Sequence, residues 1–185
     1  MIEIKDYPAF ANFIKNYMIE YTTNYAAQTV WYKGTESKEN CRKLREEILS
    51  LKGRNISKVH DFWTNECRPE CPPEQHKIGE ILDTILEALD SDCSMIQRED
   101  YPVFSYFYKQ YKGDICGNEK YTKRIIDSFK KYESDEQCRK LKEDILGLRK
   151  RKTWELEAYF AYYGDHSDRK YIDRYFSRVL EALES

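Results

Sequence analysis

Asp6-Tyr7-Pro8-x-Phe10 returns as Asp100-Tyr101-Pro102-x-Phe104, and Cys41-Arg42-Lys43-Leu44 returns as Cys138-Arg139-Lys140-Leu141. Leu86-Glu87-Ala88-Leu89 returns as Leu180-Glu181-Ala182-Leu183. The offset is 94 residues at both ends and 97 in the middle, so a small insertion and a matching deletion fall inside the repeat. Two copies of one unit constrain the fold more than any single motif, because each structural assignment must work twice. The period exceeds the about 20–50 residues of one solenoid turn, so each copy must build a small core of its own.

Apolar spacing assigns both copies to helices. Phe10, Phe13, Ile14, Tyr17 and Tyr21 are spaced by three and four, as are Phe104, Phe107, Tyr108 and Tyr111. Pro8 and Pro102 suit a first helical turn, and Asp6 and Asp100 are candidate N-caps. Leu44, Ile48 and Leu51 map onto Leu141, Ile145 and Leu148, with Lys52-Gly53-Arg54-Asn55 reading as a helix stop in the first copy. Val59, Phe62 and Trp63 mark a further helix, matched by Trp154, Leu156, Tyr159 and Phe160; the pattern leaves open whether Arg149–Lys152 breaks the preceding helix. Ile78, Ile81, Leu82, Ile85, Leu86 and Leu89 map onto Ile172, Tyr175, Phe176, Val179, Leu180 and Leu183, the most complete amphipathic pattern in the chain. A variable helix is expected around 24–33 and 121–131. The reading is an all-α protein of two homologous helical repeats, 1–90 and 99–185. Each repeat is expected as a three- to four-helix bundle, joined by a polar linker at 91–98 and packed as a pseudo-symmetric pair.

Composition narrows the function classes. Lys and Arg number 31 against 33 Asp and Glu, for a net charge of −2, which disfavours a dedicated nucleic-acid or anionic-membrane binder. Seven Gly and five Pro suit helices better than a turn-rich β protein, and 16 Tyr with 8 Phe and 3 Trp argue against disorder. No stretch approaches the about 20 apolar residues of a membrane span, so direct membrane insertion is not expected. Charges at Glu3, Lys5, Asp6, Lys15 and Glu20 leave no signal-peptide hydrophobic run. The expectation is a cytosolic protein or a soluble piece of a larger one.

The six cysteines admit three readings. As disulfides in an oxidising compartment, Cys116 would pair with Cys138, Cys41 with Cys67 or Cys71, and Cys93 with the other. They also read as free, buried thiols behaving as small hydrophobes. The third reading is a metal site, for which His60, Cys67, Cys71 and His76 are of suitable type; their order is wrong for a zinc finger, and the second copy lacks these cysteines.

No glycine-rich phosphate loop, Gly-x-Ser-x-Gly or HExxH is present, and neither a catalytic residue nor a cofactor is expected. The paired acids Glu46-Glu47 and Glu143-Asp144 read as charges on a solvated face, because neighbours on a helix do not converge. Asp168 reads as a helix cap beside His166. Arg149-Lys150-Arg151-Lys152 lacks interleaved aromatics and reads as a solvated helix end. Asn55-Ile56-Ser57 matches a glycosylation sequon. Tyr159, Phe160, Tyr162, Tyr163, Tyr171 and Tyr175 crowd 17 residues. They are read first as aromatics filling the junction of the halves, and second as a Tyr-rich contact patch formed by Tyr159, Phe160, Tyr162, Tyr163 and Tyr171.

Cys41-Arg42-Lys43-Leu44 with Ile48-Leu49-x-Leu51, and Cys138-Arg139-Lys140-Leu141 with Ile145-Leu146-x-Leu148, resemble the Cys-x-x-Leu helix of malaria-parasite variant surface antigens, the PIR (Vir) and SURFIN-related families. Phe107-Tyr108 with Tyr111 is similar to the aromatic helix near the start of PIR proteins. The resemblance implies a helical, disulfide-bonded ectodomain on infected cells, part of a longer membrane-anchored protein, that binds host molecules and carries no catalytic residues. The leading expectation is therefore a non-enzymatic extracellular binding or adhesion domain with a protein partner such as a host surface receptor. The alternative is a cytoplasmic helical scaffold or adaptor with free thiols and a Tyr-rich docking patch. A metal-dependent enzyme on the His60–His76 loop is the poorest class.

Overall fold

The structure is a computed structural model that describes residues 2–18, 24–67, 73–111, 118–164 and 167–185. The described residues are helical, with no strand among them, and the chain divides into two compact units, Met1–Met95 and Ile96–Ser185.

The first unit contains α1 (Pro8–Asn16), α2 (Tyr25–Thr35), α3 (Lys38–Lys52), α4 (Ile56–Phe62) and α5 (Ile78–Asp90). A π-helical turn, Trp63–Cys67, prolongs α4, and a 3-10 turn, Gln75–Lys77, precedes α5. The second unit contains α6 (Pro102–Tyr111), α7 (Glu119–Tyr132), α8 (Asp135–Leu148), α9 (Thr153–Tyr162) and α10 (Arg169–Glu184). Each unit thus has five α-helices among its described residues, where three or four were expected. All five, the short α4 and α9 included, lie on segments whose spacing marks a helix, so the difference is in the count per repeat and not in an unexpected element. Asn55 stops and restarts the chain by accepting from the amides of Ser57 and Lys58. In the second unit Arg149–Lys152 breaks the chain between α8 and α9. Gly53 closes α3 at φ −77°, so this stop needs no left-handed residue.

Local caps set most boundaries. Ser37 and Ser134 accept from amides three residues on, as do Asn24 and Asn118, and Asp168 does the same for α10 as its sequence suggested. The caps also locate the shift in offset. Asn24 and Asn118 are 94 residues apart, whereas Ser37 and Ser134 are 97 apart, so the insertion lies within α7, which has 14 residues against 11 in α2. The compensating deletion falls between Trp63/Phe160 and Ile78/Ile172.

Equivalent helices pack alike inside each unit: α1 on α3 and α6 on α8, α2 on α5 and α7 on α10, α3 on α5 and α8 on α10. The interior is aromatic. Phe13 meets Tyr32 edge-on at 5.3 Å and 88°, and Phe107 meets Phe129 at 5.2 Å and 88°. Phe10 on Trp63 and Phe104 on Phe160 repeat a second T-shaped contact. Such pairs add about 0.5–1.5 kcal/mol to the burial of the rings. The aliphatic triads Leu44, Ile48, Leu51 and Leu141, Ile145, Leu148 are fully buried, as the spacing required. Of the segment expected as a polar linker, Cys93 and Ile96 are buried, and Ile96 belongs to the second unit's core.

Candidate binding cleft

The acidic pairs divide in a way their sequence did not reveal. Glu46 and Glu143 lie on the solvated face and pair with Arg42 and Arg139. Glu47 and Asp144, one residue on, turn inward. Glu47 accepts from the amides of Ala9 (3.2 Å) and Phe10 (2.8 Å), and Asp144 from those of Val103 and Phe104 (both 2.9 Å). They satisfy the open amides at the N-termini of α1 and α6 from another helix. Tyr7 occupies the N-cap position of α1, so the role assigned to Asp6 falls to Glu47. Asp100 accepts instead from the Gln97 amide within a 3-10 turn. Burial pushes the Glu47 and Asp144 carboxyls above their ordinary range, against the pull of the amides they accept from. At the opposite ends, Lys33 donates to the carbonyls of Ala88 (3.1 Å) and Ser91 (2.8 Å), and Lys130 reaches Leu183 (3.4 Å). These groups hold helix ends in both copies.

The cysteines bear on the three readings of their role. Cys41, Cys67, Cys93 and Cys138 are free thiols, so neither a Cys41–Cys67 bridge nor a Cys67–Cys93 bridge is formed, and Cys138 is not bridged. Cys71 and Cys116 lie outside the described residues. Burial raises the Cys41 and Cys138 thiols and pushes Cys67 up to about 12, which disfavours the thiolate. For the metal candidates, no group of three or more His, Cys, Asp or Glu able to hold an ion exists among the described residues. Cys67 is buried, while His76 is exposed and 3.4 Å from Glu74.

The Tyr cluster separates into three parts. Tyr159, Phe160 and Tyr175 are buried in the second core, so Tyr159 and Phe160 are unavailable to a partner. α9 buries more than one helix face, since Glu155 through Ala161 are all buried. Tyr163 is half-buried, its ring 5.3 Å from those of Tyr108 and Tyr159. Tyr162 and Tyr171 are exposed, with the guanidinium of Arg98 4.5 Å from the Tyr162 ring and that of Arg174 5.5 Å from the Tyr171 ring. The basic run is structural. Arg169 donates to the carbonyls of Arg149 (2.7 Å) and Arg151 (2.8 Å), closing the turn after α8, and Arg151 pairs with the buried Glu155 at 3.1 Å.

In the first unit the corresponding region is open. Ile2, Lys58, Asp61, Phe62, Asn65 and Glu66 line a cleft of about 370 Å³ along α4 and its π-helical turn. Phe62 and Ile2 supply an apolar floor, and the exposed Lys58, Asp61, Asn65 and Glu66 supply a polar rim. The sequence equivalents of these residues in the second unit are Ile96, Glu155, Ala158, Tyr159, Tyr162 and Tyr163. There Ile96 is 1% exposed, Ala158 is fully buried and Glu155 is buried against Arg151. The exposed rim of Lys58, Asp61, Asn65 and Glu66 in the first copy thus stands where the second copy has the buried Glu155 and Ala158 together with Tyr162 and Tyr163. The volume lies within the usual range of small ligand pockets, about 300–1,000 Å³. A π-helical turn bordering such a cleft is a further mark of a functional position. Five of the six residues, Lys58, Asp61, Phe62, Asn65 and Glu66, recur at three and four along one helical stretch, and only Ile2 is joined to them by folding. Comparison of the chain with family models, curated proteins and solved structures finds no match.

Proposed function

We propose that the chain is a non-enzymatic protein-binding module of two homologous helical repeats, paired pseudo-symmetrically, with recognition concentrated in the first. The contrast between the copies carries this reading: Lys58 and Asp61 are exposed beside the cleft in one unit, whereas their sequence equivalents Glu155 and Ala158 are buried in the other. The acids that sequence reading paired are engaged in helix capping and in ion pairs with arginine, which suits a scaffold better than a reaction centre.

The resemblance of the two Cys-Arg-Lys-Leu helices to parasite variant surface antigens supports an extracellular setting. The module is then an adhesion domain of a longer, membrane-anchored protein, and its partner is a host surface receptor. A second reading has support of its own. The four described cysteines are free, which suits an intracellular scaffold or adaptor docking through exposed residues such as Tyr162 and Tyr171. Among the described residues no helix is long and apolar enough to cross a membrane, which leaves both settings open.

Intact mass with and without reductant, combined with thiol alkylation, separates the settings. Three bridges support the ectodomain, and six free thiols reject it in favour of the adaptor. The binding function is tested by immobilising the full chain and titrating receptor ectodomains and cytosolic proteins. The absence of any saturable protein ligand under both oxidising and reducing conditions would sink it.

A further inference from the structure

We infer that the cleft along α4 receives a lysine or arginine side chain of the partner polypeptide. The inference rests on the protein-binding reading and adds the chemistry of what is bound. The floor of Phe62 and Ile2 matches the aliphatic stem of a long basic side chain, which packs on apolar surface while its charged head stays polar. The carboxylates of Asp61 and Glu66 stand at the rim for that head, with the Asn65 amide between them in sequence. Lys58, the single base of the lining, makes no ion pair with another described residue and can donate to a backbone carbonyl of the incoming segment. The two carboxylates outnumber that base, which sets the sign of the preferred ligand. Residues 1–95 as a whole carry more acids than bases, whereas residues 96–185 carry more bases than acids. A cationic segment is therefore drawn to the unit that holds the open cleft.

The second unit lacks this rim. Its equivalents of Asp61, Asn65 and Glu66 are Ala158, Tyr162 and Tyr163, and its equivalent of Lys58 is Glu155, whose carboxylate is buried and paired with Arg151.

The test uses the full chain, isotope-labelled for amide NMR, and blocked N-acetyl-arginine methylamide as the probe, with the isosteric but neutral citrulline derivative as control. Saturable shifts are expected at Ile2 and across residues 58–66, with affinity about fivefold weaker for citrulline, the size of one or two exposed ion pairs. Asp61→Asn combined with Glu66→Gln should give the same loss. Asn65→Tyr combined with Glu66→Tyr, which imports the residues of the second unit, should abolish the shifts. If that variant misfolds, the Asp61→Asn and Glu66→Gln result decides, since both positions are exposed. Equal affinity for citrulline, shifts centred elsewhere, or unchanged binding after neutralising both acids would overturn the inference. An arginine probe that fails on a chain with a demonstrated protein partner rejects the cleft assignment alone. A probe that binds while no protein partner exists rejects the binding-module reading and keeps the cleft.

Discussion

Replacing Glu47 by alanine removes the acceptor of two amides at the start of α1, those of Ala9 and Phe10 at 3.2 and 2.8 Å. Loss of a helix cap costs about 0.5–2 kcal/mol, and a favourable charge at a helix N-terminus is worth about 0.3–1 kcal/mol. Burial opposes these gains, since it pushes the carboxyl above its ordinary range. The net expectation for Glu47→Ala is a loss of about 2 kcal/mol at neutral pH, most of it from leaving Phe10, whose side chain is fully buried, with an unanswered amide. Glu47→Gln keeps an acceptor and removes the charge, so it should cost about 1 kcal/mol or less.

The pH dependence has a definite sign. A carboxyl whose folded value lies above its unfolded value binds its proton more tightly in the folded state. Its contribution is full below the unfolded value and declines as pH rises through the folded value. The advantage of the native chain over Glu47→Gln should therefore grow on acidification from neutral pH to the ordinary glutamate range, because only the native side chain titrates. Urea unfolding followed by far-ultraviolet circular dichroism at several pH values measures both quantities. A native advantage that shrinks on acidification would show that the helix N-terminus outweighs burial at this carboxylate. A Glu47→Ala loss below about 0.5 kcal/mol would remove the capping argument altogether.

Two further outcomes follow from the packing. Cys67, buried and with its thiol pushed up to about 12, should resist iodoacetamide at pH 8 in the folded chain and react on unfolding; modification at the rate of a free cysteine would contradict its burial. Gly147→Ala would set a methyl 2.7 Å from Cε1 of Tyr101 and should destabilise the protein by about 1–3 kcal/mol, whereas Ser50, its equivalent in the first copy, sits within hydrogen-bond reach of the Tyr7 hydroxyl; an unchanged melting temperature would show that the Tyr101 ring gives way freely.

The legible part of the fold was whatever depends on nearby residues. Caps such as Asp168 and the apolar spacing of α3, α5, α8 and α10 are local, and the structure uses them as the sequence suggested. The break at Arg149–Lys152 was undecidable from that stretch because Arg169, some twenty residues later, supplies the guanidinium that closes the turn. Glu46 and Glu47 show the same limit. They are neighbours of identical type, and helical geometry states only that they point in different directions. Which direction is inward depends on where α1 lies.

The amino-acid sequence by itself determined that the protein is helical and twice-written, since periodicity, capping residues and scarce glycine act through interactions within a few residues. Tertiary structure decided which acid caps and which is solvated, which tyrosines are core, and that Ile2 joins the α4 stretch to line a cleft. Those outcomes turn on burial and on contacts between distant segments, which no short stretch of the chain carries by itself.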